Sequence, residues 1–206
     1  MSAPLIKICG ITRPEDAVHA ADLGVDCLGL NFYPPSPRHV TLEQAAEIAD
    51  AVRGRVALFG VFVNATPTDI ERTVEAVGLD RIQFHGDETP ADLAPWEDRA
   101  VKVVRVDDRT PRDVWDAYPH AWGFLVEASH ETLYGGTGEP WTYEALRGLR
   151  IFRPWLLAGG LRPDNVCRAL DRTGATGVDA CSGVELRPGI KDPEKMERLV
   201  QAVRHR

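Results

Sequence analysis

Short β-branched runs alternate with longer amphipathic segments along this chain, and the run ends recur roughly every 21 or 22 residues, stretching to about 31 or 32 in two places. That spacing is the period of a βα unit, in which a buried parallel strand is followed by a helix covering the sheet. The candidate strands are Leu5–Ile8, Cys27–Phe32, Val56–Val63, Arg81–Phe84, Val101–Val106, Gly123–Val126, Trp155–Ala158 and Gly177–Asp179. Between them lie Pro14–Leu23, Leu42–Val52, Thr68–Val77, Pro111–Tyr118, Tyr143–Leu149, Pro163–Thr173 and Pro193–Arg204, read as helices. Several open on start signals, as in Thr66-Pro67, Thr110-Pro111 and Asp192-Pro193. Thr89 to Arg99 carries two prolines and allows only a short or irregular helix.

Eight such strands predict a closed (βα)8 TIM barrel better than a doubly wound sheet, because no Gly-x-Gly-x-x-Gly follows the first strand. The 206 residues carry no linker or low-complexity stretch, so one catalytic domain spanning 1–206 is expected. A net charge of -7 argues against a general nucleic-acid surface, and no run reaches membrane-spanning length. Cys9, Cys27, Cys167 and Cys181 have neither zinc-site spacing nor the density of a disulfide scaffold. A cytoplasmic chain with reduced thiols is expected, a monomer or a homodimer.

In a barrel of this type the active site is built from the C-terminal strand ends. Those ends read Cys9, Asn31, Asn64, His85, Arg105, Glu127, Gly159-Gly160 and Asp179. Ala158-Gly159-Gly160-Leu161 follows the seventh strand and Cys181-Ser182-Gly183-Val184 the eighth, and small residues in those two loops let backbone N–H groups approach a phosphate. Cys9 is by position either a nucleophile or base aimed at a pocket, or a small buried hydrophobe. Lys7 lies on the same strand face and supplies either a charge that favours thiolate or a partner for a core carboxylate. Arg38, in a loop stiffened by Pro34, Pro35 and Pro37, is placed to clamp a carboxylate. Gly135-Gly136-Thr137-Gly138 lacks the Lys-Ser or Lys-Thr of a P-loop and reads as a cover over the sixth strand end.

These residues resemble the phosphoribosylanthranilate isomerase family over nearly the whole chain. The carriers include Lys7-Ile8-Cys9-Gly10-Ile11-Thr12, Ser36-Pro37-Arg38, Gln83-Phe84-His85-Gly86, Gly135-Gly136-Thr137-Gly138, Leu157-Ala158-Gly159-Gly160, Ser182-Gly183-Val184-Glu185 and Gly189-Ile190-Lys191-Asp192. The resemblance implies a cofactor-free Amadori rearrangement in tryptophan biosynthesis, acting on a small-molecule substrate. It also implies that Cys9 is the general base, that Arg38 and His85 hold the anthranilate, that Gly159, Gly160, Ser182 and Gly183 bind phosphate, and that Asp179 orients the sugar or adjacent loops. The general acid of the family is usually an aspartate after the sixth strand, where this chain has Glu127, or His130 or a water if Glu127 does not serve. Other readings of the same barrel are an isomerase of a related aminoaldose phosphate, a Schiff-base enzyme using Lys7 or Lys102, and a non-catalytic sugar-phosphate binding barrel.

Overall fold

The computed structural model describes residues 3–107, 109–111, 113–128, 146 and 151–206. Eight strands, β1 (Leu5–Cys9), β2 (Cys27–Asn31), β3 (Ala57–Phe62), β4 (Arg81–Phe84), β5 (Ala100–Val106), β6 (Gly123–Ala128), β7 (Trp155–Ala158) and β8 (Gly177–Ala180), close into one parallel barrel. Each strand pairs with the next, and β8 returns to β1 with Lys7 opposite Asp179 and Ile8 opposite Ala180. The expected strands are therefore all present, with ends displaced by a residue or two.

Alternation along each strand sorts the side chains into two cores. Cys27, Phe59, Val101, Val103, Leu125, Leu156 and Ala158 fill the barrel interior. Ile6, Ile8, Leu28, Leu30, Ile82, Val126 and Val178 point outward into the larger core beneath the helices. Since Ile6 and Ile8 face outward, Lys7 and Cys9 face in, and the same parity aims Asp179 inward from β8. Two-sided burial explains why these strands read as nearly unbroken apolar runs.

The helices are α1 (Pro14–Asp22), α2 (Leu42–Ala51), α3 (Pro67–Val77), α4 (Pro90–Leu93), α5 (Val166–Thr173) and α6 (Pro193–Arg204). Their starts are fixed locally. Thr41 and Gln44 form a capping box on α2, Thr66 caps α3 through the Asp69 N–H, and Asp192 accepts from the Glu194 and Lys195 N–H groups at α6. Between β8 and α6 a small antiparallel hairpin, β9 (Glu185–Arg187) and β10 (Ile190–Lys191), is inserted.

Two helical expectations are corrected. Among the described residues of 111–118 there is no α-helix; a 3-10 turn, Val114–Ala117, inserts Trp115 edge-on against Phe124 at 5.1 Å. The Asp113 side chain caps nothing there, and the aromatic contact covers the barrel in place of a helical stripe. The segment from 163 begins its helix only at Val166, because Asn165 accepts from the Arg162 N–H at 2.8 Å and closes a turn first. The expected helix Tyr143–Leu149 lies, except for Leu146, outside the described residues, as do Gly135-Gly136-Thr137-Gly138 and His130.

The seam where the barrel closes tolerates little added volume. A Cβ on Gly177 would lie 2.5 Å from Leu156 Cδ2 and 2.6 Å from the Leu5 carbonyl oxygen. Gly177→Ala is expected to cost about 1–3 kcal/mol, read as a lowered urea midpoint at unchanged slope. An unmoved midpoint would mean that the seam yields freely.

Candidate active site

The C-terminal strand ends surround a cavity of about 290 Å³ lined by Cys9, Arg38, His85, Glu127 and Asp179, with Gly159, Gly160, Cys181 and Ser182 along one side. A larger groove of about 430 Å³ lies outside the rim by Tyr33, Leu42 and Arg72, where Arg72 is already paired with Asp69 at 3.1 Å. The smaller cavity, with its thiols and convergent charges, is the candidate site.

Cys9 ends β1 opposite Gly29 of β2, and the missing side chain makes its space: a Cβ on Gly29 would sit 2.8 Å from Cys9 Sγ and 3.0 Å from Lys7 Nζ. Directly below, the fully buried Lys7 ammonium donates to Asp179 Oδ1 at 2.8 Å. Burial opposes the Lys7 charge, yet Asp179 and Cys9 outweigh it and hold the ammonium above its ordinary range. Asp179 is pushed up to about 6 by burial, with Lys7 offsetting only part of that penalty. The Cys9 thiol is held well below its ordinary value, first by the neighbouring Cys181 thiol and then by the charges of Lys7 and Lys191, which together overcome burial. Position alone left Cys9 open between base and hydrophobe; this neighbourhood is that of a thiolate.

Arg38 does clamp a carboxylate, but one supplied by the protein. Its Nε and Nη2 donate to Glu185 Oε1 and Oε2 at 2.9 and 2.7 Å, a bidentate pair that fastens the proline-rich loop after β2 to the hairpin after β8. Glu185 also accepts from Lys191 Nζ at 2.9 Å and from the Gly189 N–H at 3.2 Å. Lys191, fully buried, then reaches the Cys9 carbonyl at 2.6 Å and the Cys181 carbonyl at 3.4 Å. Burial raises the Glu185 pKa, but Arg38 and Lys191 prevail and keep it low. Sequence reasoning assigned no role to Glu185, Lys191 or Cys181, although two acidic or basic residues within a short glycine-containing hairpin were a visible signal of a buried pair.

Across the cavity, Glu127 Oε1 stands 3.5 Å from His85 Nε2 and its Oε2 3.5 Å from Arg105 Nε. The other ring nitrogen of His85 is 3.2 Å from Gln83 Nε2, which fixes the ring plane. Burial pushes the Glu127 carboxyl up, but His85 and Arg105 together carry it below its ordinary value, so in the open cavity it is a carboxylate.

The glycine turns after β7 and β8 are pressed together. Gly159 and Gly160 have φ of 93° and 62°, a left-handed backbone that favours glycine. A Cβ on Gly183 would fall 1.9 Å from the Leu161 carbonyl oxygen, so only glycine allows the β8 loop to touch the β7 loop. Asn165 Nδ2 holds the Gly160 carbonyl at 3.0 Å. The loop after β8 opens with a 3-10 turn, Ser182–Val184.

Two rim residues brace loops instead of entering chemistry. Asn31 accepts from the Tyr33 N–H and donates to Ser36, although its residue borders the cavity; Asn64 accepts from the Asp87 N–H beside the buried Lys102–Glu88 pair. Both lysines weighed as Schiff-base amines are engaged as ammonium ions, Lys7 with Asp179 and Lys102 with Glu88 at 2.9 Å and the Gly86 carbonyl at 2.8 Å.

Fold and site together define a βα-barrel enzyme of proton transfer, in which an acidified thiol and a carboxylate share one rim with glycine turns suited to an anion. Residues 6–202 match the family described as N-(5'phosphoribosyl)anthranilate (PRA) isomerase, and the chain belongs to that family. A relative from Magnetococcus marinus named N-(5'-phosphoribosyl)anthranilate isomerase is 44% identical over 199 residues, 97% of this chain and 94% of that one. The crystal structure of phosphoribosyl anthranilate isomerase from Thermotoga maritima superposes with a TM-score of 0.87 at 33% identity, covering 98% of this chain and 100% of that one. Another solved isomerase, in complex with reduced 1-(o-carboxyphenylamino)-1-deoxyribulose 5-phosphate, gives 0.83 at 32% identity, covering 98% and 100%.

The Glu185 network makes a direct prediction. Glu185→Ala leaves Lys191 buried without its carboxylate and unties Arg38, and is expected to destabilise by about 3–5 kcal/mol in chemical denaturation. A loss well under 1 kcal/mol would remove the network from any structural role.

Proposed function

We propose that this chain is an N-(5'-phosphoribosyl)anthranilate isomerase of tryptophan biosynthesis in which Cys9 is the general base and Glu127 the general acid. The observation that carries the assignment is the meeting, in one cavity, of a thiol stabilised as thiolate and a carboxylate on the opposing part of the rim. The reaction moves protons within the substrate and needs one group of each kind. Glu127 protonates the furanose ring oxygen and the ring opens to an iminium; Cys9 then removes the C2 proton, and the resulting enolamine tautomerises to the ketone of 1-(2-carboxyphenylamino)-1-deoxyribulose 5-phosphate.

The acid must hold a proton, whereas Glu127 is ionised in the open cavity. Substrate covering the rim excludes water, which raises a carboxyl pKa, and any displacement of the largely exposed Arg105 acts in the same direction. Arg38, its guanidinium fixed by Glu185, offers a flat cationic face to the aromatic ring and its Nη1 edge to the anthranilate carboxylate. His85 borders the same space. The turns at Gly159-Gly160 and Ser182-Gly183 receive the phosphate through backbone N–H groups, and Asp179 orients the sugar. A reduced Cys9 fits a cytoplasmic setting; among the described residues no helix is long and apolar enough to cross a membrane.

Loss of phosphoribosylanthranilate fluorescence tests the assignment. Cys9→Ala and Glu127→Gln are each expected to lower turnover about 10²- to 10⁴-fold while product-analogue binding persists. Wild-type turnover in either variant removes that residue from its role, and binding without turnover in the wild type would make the chain a sugar-phosphate binding barrel. Arg105→Gln takes a cation from beside Glu127, so the carboxyl pKa rises and the alkaline limb of the kcat profile is expected to move upward; a downward move contradicts the acid role.

A further inference from the structure

Cys181 has no part in the proton transfers, yet it lines the same cavity as Cys9. In the β1–β8 ladder Lys7 faces Asp179 and the last rung is Ile8 with Ala180, so Cys9 and Cys181 are the residues that follow it on the two strands. Both line the cavity. The four side chains form a square, with the Lys7–Asp179 ion pair below and the two thiols above. Lys191 clamps both cysteines from behind: its Nζ is 2.6 Å from the Cys9 carbonyl, 3.4 Å from the Cys181 carbonyl and 4.0 Å from Cys181 Sγ. Gly10 keeps the corner open, since a Cβ there would lie 3.1 Å from Cys181 Sγ and 2.6 Å from Arg38 Cδ.

We propose that Cys181 is a positioning residue for the base, its S–H donating to the Cys9 sulfur and holding that sulfur as an aimed thiolate. The proposal rests on the reading of Cys9 as the base. The direction of the bond follows from the charges around the square. Cys9 receives the charges of both the Lys7 ammonium and Lys191, while Cys181 faces Lys191 and Arg38. Asp179 and Glu127 add negative charge from β8 and β6, and Glu185 balances Lys191 and Arg38 from the hairpin. The anion therefore settles on Cys9 and the proton stays on Cys181, whose own thiol is pushed upward by the shared bond and by burial. Cys27 provides the contrast: it sits among the apolar residues of the barrel interior, where burial pushes its thiol up to about 12. Cys181 belongs to neither apolar core.

The test is the pH dependence of iodoacetamide alkylation at Cys9, resolved by peptide mass spectrometry, in wild type, Cys181→Ser and Cys181→Ala. A hydrogen bond to a charged group, converted to acidity, predicts that the alanine variant moves the Cys9 midpoint up by about one to two pH units. The serine variant, which keeps a donor, stays close to wild type. In the isomerase assay the alanine variant loses about tenfold or more in kcat near neutrality and recovers as the pH rises, with KM nearly unchanged. If Cys181→Ala does not fold, Cys181→Val keeps the volume without a comparable donor and takes its place. An unmoved alkylation midpoint in the folded donor-free variant overturns the proposal. Full turnover by Cys9→Ala would instead overturn the reading of Cys9 as the base, and would leave the alkylation result standing.

Discussion

The ion pair between Lys7 and Asp179 is the interaction on which the site depends. It lies inside the barrel at the seam where the last strand meets the first, with the ammonium fully buried and 2.8 Å from the carboxylate. An apolar pair of the same volume would fill the seam at least as well in energetic terms, because two desolvated charges recover little more than they lose. What the ion pair supplies is register and field. A one-residue slip of β8 against β1 would turn Asp179 outward and leave Lys7 unpaired in the interior, so the seam has one acceptable alignment. That alignment is the one that sets Cys9 beside Cys181 and puts a fixed positive charge beneath the reactive sulfur.

Among the described residues around the rim, the charges close to neutrality when Cys9 is ionised. Lys7, Lys191, Arg38 and Arg105 are the cations, and Asp179, Glu185 and Glu127 are the carboxylates facing them. A thiolate at Cys9 is the fourth anion. Glu185 matters as much as any residue touching the cavity, because it joins the loop after β2, the hairpin after β8 and, through Lys191, the end of β1. Three segments distant in sequence are thereby held by one carboxylate.

Much of this was legible in the sequence, for identifiable reasons. Strand positions followed from apolar runs at βα spacing, and Arg81, Phe84, Trp155 and Ala158 mark strand ends where expectation and structure coincide. The rim followed from strand direction, which is why Cys9, His85, Glu127, Asp179 and the two glycine turns share a cavity. Residues 111–118 misled because Thr-Pro is a start signal whether or not a full helix follows, and here the burial of Trp115 replaced one. Arg38 was readable as a carboxylate clamp, but its partner, 147 positions away, was not, since long-range pairing leaves no local pattern. Asn31 and Asn64 show the converse: polar residues at strand ends also serve turns, and sequence position does not separate the two uses.

The division of cations has a consequence for the ligand. Lys7 and Lys191 are fully buried and committed to carboxylates and carbonyls, so neither can turn to meet an incoming anion without abandoning a buried charge. The chain as a whole carries a net charge of -7, so no general positive field draws a phosphorylated substrate in. On the proposed reading, a phosphate in this cavity is met by neutral donors placed at contact distance. The loops after β7 and β8 are where the backbone is bare enough to provide them, with left-handed glycines in one and, in the other, a glycine packed against its neighbour's carbonyl. Binding by backbone N–H groups leaves the rim's charge balance intact. On that reading the thiolate keeps its counter-charges, and a bound phosphate does not compete with Cys9 for the same lysines.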